Sequence, residues 1–267
     1  MSTFHFAETL LIDGPDAMSF AQAQFSSPVD SLPVAHWQFS AWLDPRGRVR
    51  ALFHLARLGD DRYLLLLRGG EARTTAEELR RFVFRSKLGI SALPALNLAT
   101  GPAQPMHRVT DDGDVVSLGC DSHSLCISSS ARGDDAWRLL QLRAGWPWLP
   151  SSLAGALLAP ALSLQRLHAV STDKGCYPGQ EIVARLHFRG GHKRHLHHVS
   201  ISRAASAGDM LYRDGREIGC LLDVITTEAH TEALAVLSDE MVALAVDGHA
   251  LSCDNGIDIN LIATWTP

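Results

Sequence analysis

Lys174-Gly175-Cys176-Tyr177-Pro178-Gly179-Gln180-Glu181 is the most specific stretch of the chain. A cysteine stands between glycines that permit close approaches and unusual backbone angles, and Pro178 suits the first turn of a helix. The apolar residues Ile182, Val183 and Leu186 then recur at helical spacing, which predicts a helix from Gly179 to about His187 with Cys176 just before its N-terminus. There the helix dipole and Lys174 would both favour a thiolate. A structural cysteine in a glycine turn fits the same residues, and chemistry alone leaves the two readings open.

Downstream, Arg185 and Arg189 fall four apart on one helical face and are suited to gripping a carboxylate or phosphate, or to lying simply solvated. His187, His192, His195, His197 and His198 crowd the same region with Lys193 and Arg194. A metal centre would also need carboxylate or thiolate partners at suitable distance, and no metal site is assigned. Read as a patch, Arg185–His198 attracts anions more strongly as pH falls.

The 267 residues suffice for one large domain or two to three small ones, and 46% hydrophobic with 20% charged residues is ordinary globular composition. Five scattered cysteines, Cys120, Cys126, Cys176, Cys220 and Cys253, with no Cys-x-x-Cys pair, argue against a disulfide framework or a zinc cage. The formal net charge of −5 gives no overall attraction to nucleic acid or anionic membranes, so such binding needs a local patch. The first residues lack a basic region followed by a long apolar core, and the apolar Leu153–Leu164 run is too short for a bilayer, so a cytoplasmic protein is expected.

Toward the N-terminus, Thr9–Ile12 reads as a strand, Asp13-Gly14-Pro15-Asp16 as a turn, and Ala17–Phe25 as a helix capped by Asp16. Ala35–Leu43 and Val49–Arg57 flank Asp44-Pro45-Arg46-Gly47, a β-hairpin with Asp44 and Arg46 at its tip. Tyr63–Leu67 and Leu88–Ala92 are further strands, and Thr75-Ala76-Glu77-Glu78 reads as a capping box opening a helix. Short strands follow around Asp111–Asp114 and at Leu125–Ser128, with Cys120 and Cys126 as small apolar fillers. Asp134 caps a helix carrying Trp137, a residue suited equally to the core or to ligand stacking. Leu149–Pro160 reads as a linker or loosely packed crossing segment. Beyond Val199, apolar runs such as Ile218–Ile225 and Met241–Val246 alternate with turns at Arg213–Arg216, Asp247-Gly248 and Asp254–Gly256, which predicts a small β-barrel. An α+β fold with three parts is expected: residues 1–148, a crossing segment 149–198 carrying the motif, and a barrel over 199–267.

The pattern Lys174-Gly-Cys-Tyr-x-Gly-Gln-Glu181, with Ile-Val-Ala-Arg185, Phe188-Arg-Gly190 and Lys193-Arg194, resembles the signature of the YgfZ family of folate-binding proteins. That family is related to the aminomethyltransferase (T-protein) of the glycine cleavage system. Ile12-Asp-Gly14, Asp44–Gly47, Phe84-Arg-Ser-Lys87 and Ala144-Gly-x-Pro147 extend the similarity along the chain. The resemblance implies a ring of α/β subdomains around a folate pocket, a C-terminal barrel, tetrahydrofolate or a derivative as ligand, and a role in making or maintaining iron–sulfur enzymes, including those that thiolate tRNA. It makes Lys174 and Cys176 the signature lysine and functional thiol and sets Trp137 stacking on folate. Asp44, Tyr177, Gln180, Glu181 and Arg185 would lie near the ligand, and Arg185–His198 would offer a weak tRNA contact. A folate-dependent one-carbon transferase, with Asp44 as its acid, is the alternative.

Overall fold

The computed structural model describes residues 6–129, 133–244 and 250–265. Three antiparallel sheets carry the fold. The first has strand order His36–Leu43, Val49–Gly59, Arg62–Leu67, Thr9–Asp13, Gly89–Ala92. The second runs Phe6–Ala7, Leu96–Gly101, Ser124–Ser128, Val115–Gly119, Val109–Asp111, and the third Met210–Arg213, Arg216–Thr226, Thr231–Ser238, Arg194–Ile201, Asp258–Trp265, Leu251–Ser252. Helices α1 (Ala17–Gln24), α2 (Ala72–Arg80), α3 (Ala136–Arg143), α4 (Gln180–Arg189) and α5 (Asp239–Leu244) pack around them. Among the described residues every strand pairing is antiparallel, in keeping with an α+β layer arrangement.

The central hairpin, His36–Leu43 with Val49–Gly59, faces both ways. Phe53, Leu55 and Trp42 pack against α1 and α2 on one side, while Trp37, Phe39, Leu52 and Ala56 enter the largest core on the other. Trp37 ties the first two sheets together: its indole Nε1 donates to Gly119 O at 2.8 Å and its amide to His107 O at 2.8 Å. That same core continues into the third sheet through Leu196, Leu222, Leu234 and Val236. The third sheet is nearly closed into a barrel, because Asp254 beside one edge donates its amide to Tyr212 O in the other at 2.8 Å.

Several local expectations change. The α2 helix starts three residues before the proposed capping box, and the Thr75 hydroxyl donates back to Glu71 O at 2.9 Å from inside the helix. Asp16 makes no side-chain cap on α1; its carboxylate accepts the Lys87 amide at 2.6 Å and fixes a distant loop instead. Leu149–Pro160 crosses between layers but is not loosely packed. Leu149 donates to Arg68 O at 2.8 Å, Leu157 O accepts from Val49 at 2.8 Å, and Leu149, Leu153 and Ala159 are buried. Asp239–Leu244 forms helix rather than a strand, and the expected Asp247-Gly248 turn lies outside the described residues. Among the described residues no helix is long and apolar enough to cross a membrane.

The third sheet is clasped to α3 by charge. Glu232, buried in Thr231–Ser238, accepts from Arg143 Nε at 3.0 Å and Nη2 at 2.5 Å, from His198 at 2.7 Å and from His230 at 2.9 Å, while Arg138 pairs with Asp223 nearby. Hydrogen bonding from Arg143 outweighs burial and holds the Glu232 carboxyl down at about 2. Its folded value lies below the ordinary 4.5, so the stabilisation is complete above that range and is lost as pH falls through about 2. Glu232→Gln is expected to lower the urea midpoint at neutral pH and to flatten the acid limb between about pH 5 and pH 2, measured by denaturant melts across that range.

Candidate functional site

The motif builds a staple before it builds a site. Lys174 is partly buried and points Nζ at two backbone carbonyls, Phe25 O at 2.5 Å and Ser27 O at 2.9 Å, tying the segment to the end of α1. Burial pushes its pKa down to about 8, opposed by the Asp30 carboxylate. The Tyr177 hydroxyl donates to Ser171 O at 2.8 Å, and its pKa is raised by burial to about 12. Gln180 Nε2 donates to Lys174 O at 3.0 Å, closing the loop on itself.

Gly179 has φ of +80°, and a Cβ there would stand 2.5 Å from Asp44 O. Gly47, across the contact, would meet Ile182 at 2.9 Å. Two glycines therefore let the hairpin tip and the start of α4 touch backbone to backbone. The Asp44 carboxylate is occupied within its own turn, accepting the amides of Arg46 at 2.8 Å and Arg48 at 2.9 Å. At the crest of this staple Cys176 is exposed, ahead of an α4 that begins at Gln180. The lysine expected to act on the thiol is turned instead to the carbonyls of Phe25 and Ser27, just past α1. Glu181 and Arg185 are exposed on α4.

Trp137 lies elsewhere. It is 1% exposed in the main core, with Nε1 donating to Asp134 O at 3.1 Å and its ring tilted against Trp148 at 5.2 Å. The structure thus brings Asp44, Lys174, Cys176, Tyr177, Gln180 and Glu181 together and leaves Trp137 apart.

A cavity of about 470 Å³ opens between the central hairpin and residues 166–168. Its walls include Trp37, Phe39 and Trp146, whose rings pack edge-on to one another, with His36, His107 and Arg166 supplying polar groups. Such a volume with aromatic walls and few polar atoms suits a small organic ligand. Arg166 donates through Nη2 to Gly145 O at 2.5 Å and lies over the Trp265 ring, and its buried Nε has no hydrogen-bond partner among the described residues. Burial lowers its pKa from the ordinary arginine value. His107 is also lowered, first by burial, while its Nδ1 sits 3.1 Å from Trp37 O. No acidic residue is among the described residues lining this cavity.

A second, polar cavity of about 310 Å³ lies under the motif between Ser171–Asp173 and α4 residues Val183 and His187. His168 lines both cavities from a left-handed backbone with φ of +52°. Gln165 lines the polar cavity and Arg166 the aromatic one, and Gln165 Oε1, like Arg166 Nε, is buried with no hydrogen-bond partner among the described residues. Trp37, Trp146, Arg166 and His168 escape sequence reading because they come from distant segments. The available signal is the Gln165-Arg166 pair inside the apolar run from Leu157 to Val170.

The histidine-rich strand does not form one open patch. His197 and His198 are buried, His198 against Glu232, and His195 pairs with Asp239 at 2.6 Å. Among the described residues no cluster of histidine, cysteine or carboxylate side chains could hold a metal ion.

No family model matches the chain. It is 28% identical over 262 residues to the tRNA-modifying protein YgfZ of Aliivibrio fischeri (strain MJ11), covering 85% of this chain and 81% of that protein. Over 275 residues it is 26% identical to the tRNA-modifying protein YgfZ of Yersinia enterocolitica, covering 88% and 83%. The solved structure of glycine cleavage system aminomethyltransferase T from Bartonella henselae superposes with a TM-score of 0.69 at 15% identity, covering 96% of this chain and 82% of that one. The first two bear out the resemblance to the YgfZ family carried by Lys174–Glu181; the third bears out the T-protein-like fold.

Gly179→Ala is expected to destabilise the protein by about 1–3 kcal/mol, because left-handed strain adds to the clash with Asp44 O. Gly175→Ala, where a Cβ meets nothing within 4 Å, serves as the control in parallel thermal melts.

Proposed function

We propose that the chain binds tetrahydrofolate or a derivative in the 470 Å³ cavity and acts as an accessory protein for iron–sulfur enzymes, including those that thiolate tRNA, with Cys176 as its functional thiol. The observation that carries the ligand half is a cavity walled by Trp37, Phe39 and Trp146 with the cationic Arg166 in its lining. A folate combines flat aromatic rings with a carboxylate tail. The rings suit the aromatic walls, and a carboxylate would complete the Arg166 guanidinium with a charge-assisted bond.

The thiol half rests on the division of labour within the motif. Lys174, Tyr177, Gly179 and Gln180 each have a packing or hydrogen-bonding task that explains the residue type. Exposed Cys176 has no comparable packing task, and chemistry on a partner is what remains for it. In this reading Glu181 is exposed on α4 beside the thiol, and Trp137 belongs to the core.

A one-carbon transferase would need an acid beside the folate. The cavity is lined by none among the described residues, and the Asp44 carboxylate is engaged by two turn amides, so the accessory reading is preferred.

Titration calorimetry with tetrahydrofolate is expected to show one site, with Arg166→Ala weakening it about ten-fold or more, as loss of a charge-assisted bond implies. Absence of heat or thermal shift would remove the ligand half. Cys176→Ala should keep folate affinity yet fail to restore iron–sulfur enzyme activity in a strain lacking the protein; full restoration would remove the thiol half.

A further inference from the structure

Seven exposed cations surround one end of the central hairpin, and none is paired with a carboxylate among the described residues. Arg46 and Arg48 stand at the hairpin tip itself, where the Arg48 guanidinium reaches Gly155 O at 3.5 Å. On one flank, after α2, lie Arg81, Arg85 and Lys87; on the other, Arg185 and Arg189 project from α4. Both flanks are anchored to this hairpin: Phe82 packs edge-on to Trp42 with ring centroids 5.8 Å apart, and Gly179 and Ile182 abut Asp44 and Gly47.

Each flank also displays an aromatic ring where burial would be the norm. Phe84 is 85% exposed and Phe188 is 73% exposed. Neither segment hangs loose. The Phe84 loop is clamped at its end by the Asp16 carboxylate on the Lys87 amide, and Phe188 belongs to the last turn of α4, edge-on to His187 at 4.9 Å. The carboxylates in these segments are few: Asp44 and Asp16 are occupied by backbone amides, leaving Glu181 open. On a protein of net charge −5 this is a local reversal of sign.

We propose that this face binds single-stranded nucleic acid, with bases stacking on Phe84 and Phe188 and the phosphate backbone running across the arginines of the hairpin tip. Fixed, solvent-facing rings interleaved with unpaired arginines are the elements of a sequence-tolerant single-strand platform. The histidine strand downstream cannot play this part, since His197 and His198 point into the protein. The platform uses none of the residues lining the 470 Å³ cavity, so it stands independently of folate binding.

The test is fluorescence anisotropy with a short fluorescein-labelled oligouridylate on the full chain. Binding should weaken steeply with salt, and Phe84→Ala and Phe188→Ala should each lower affinity by at least about five-fold, with Arg81→Glu/Arg85→Glu lowering it further. These side chains are exposed, so melting temperature should be unchanged, which separates lost contact from lost fold. No anisotropy change at low salt overturns the proposal. So does a loss confined to one flank, or displacement of the oligonucleotide by poly-glutamate at equal charge concentration, which would make the face a dock for acidic protein.

Discussion

A single buried cation constrains the middle of this fold. Arg68, 1% exposed at the end of the strand Arg62–Leu67, donates from Nε to Pro147 O at 2.8 Å, from Nη1 to Gln141 Oε1 at 2.7 Å and from Nη2 to Trp146 O at 2.9 Å. Its guanidinium lies near the Phe39 and Trp148 rings, and it pairs with no carboxylate among the described residues. Burial lowers its pKa to about 9. An unmatched guanidinium here would be costly, so α3 and the Trp146-Pro147 turn must sit where their oxygens reach it. That placement sets Trp146 against Phe39 and Trp37 and thereby makes the aromatic wall of the cavity. His54, wedged beside Arg68, is held neutral, its pKa driven well down by burial first and the neighbouring arginine second.

The motif and the cavity answer different requirements. Lys174, Tyr177, Gly179 and Gln180 secure a loop whose crest carries a thiol, and three of them act through backbone carbonyls, Lys174 on carbonyls more than a hundred residues away and Tyr177 and Gln180 on carbonyls in the same loop. The cavity is assembled by packing between sheets. His168 is the one described residue common to the two chambers, and its left-handed backbone shows that the chain accepts local strain to put an imidazole there.

Much of the fold was legible because it is local. The Asp44–Gly47 turn, the alternation before it, and the turn chemistry of the C-terminal region each follow from neighbouring residues. The motif was legible for the same reason. Trp137 could not be resolved from sequence, because core and stacking roles ask for the same side chain; the environment supplied by Trp148 and Asp134 puts it in the core. Thr75 misled because a threonine three residues before a glutamate also occurs one turn inside a helix, with its hydroxyl returning to Glu71 O. The cavity was invisible because Trp37, Trp146, Arg166 and His168 form no pattern along the chain and come together only in the folded protein.

The Arg68 network also bears on how the chain is made. The guanidinium belongs to a strand near the N-terminus, whereas its acceptors lie 73 to 79 residues later. While the chain emerges from the ribosome, the first sheet has all its strands by Ala92 but must leave this cation in water until residues 141–147 arrive. Closure of the first sheet on its inner face is therefore tied to synthesis of α3 and the turn after it, and a truncation that ends between the two leaves a complete sheet with an open, charged inner face.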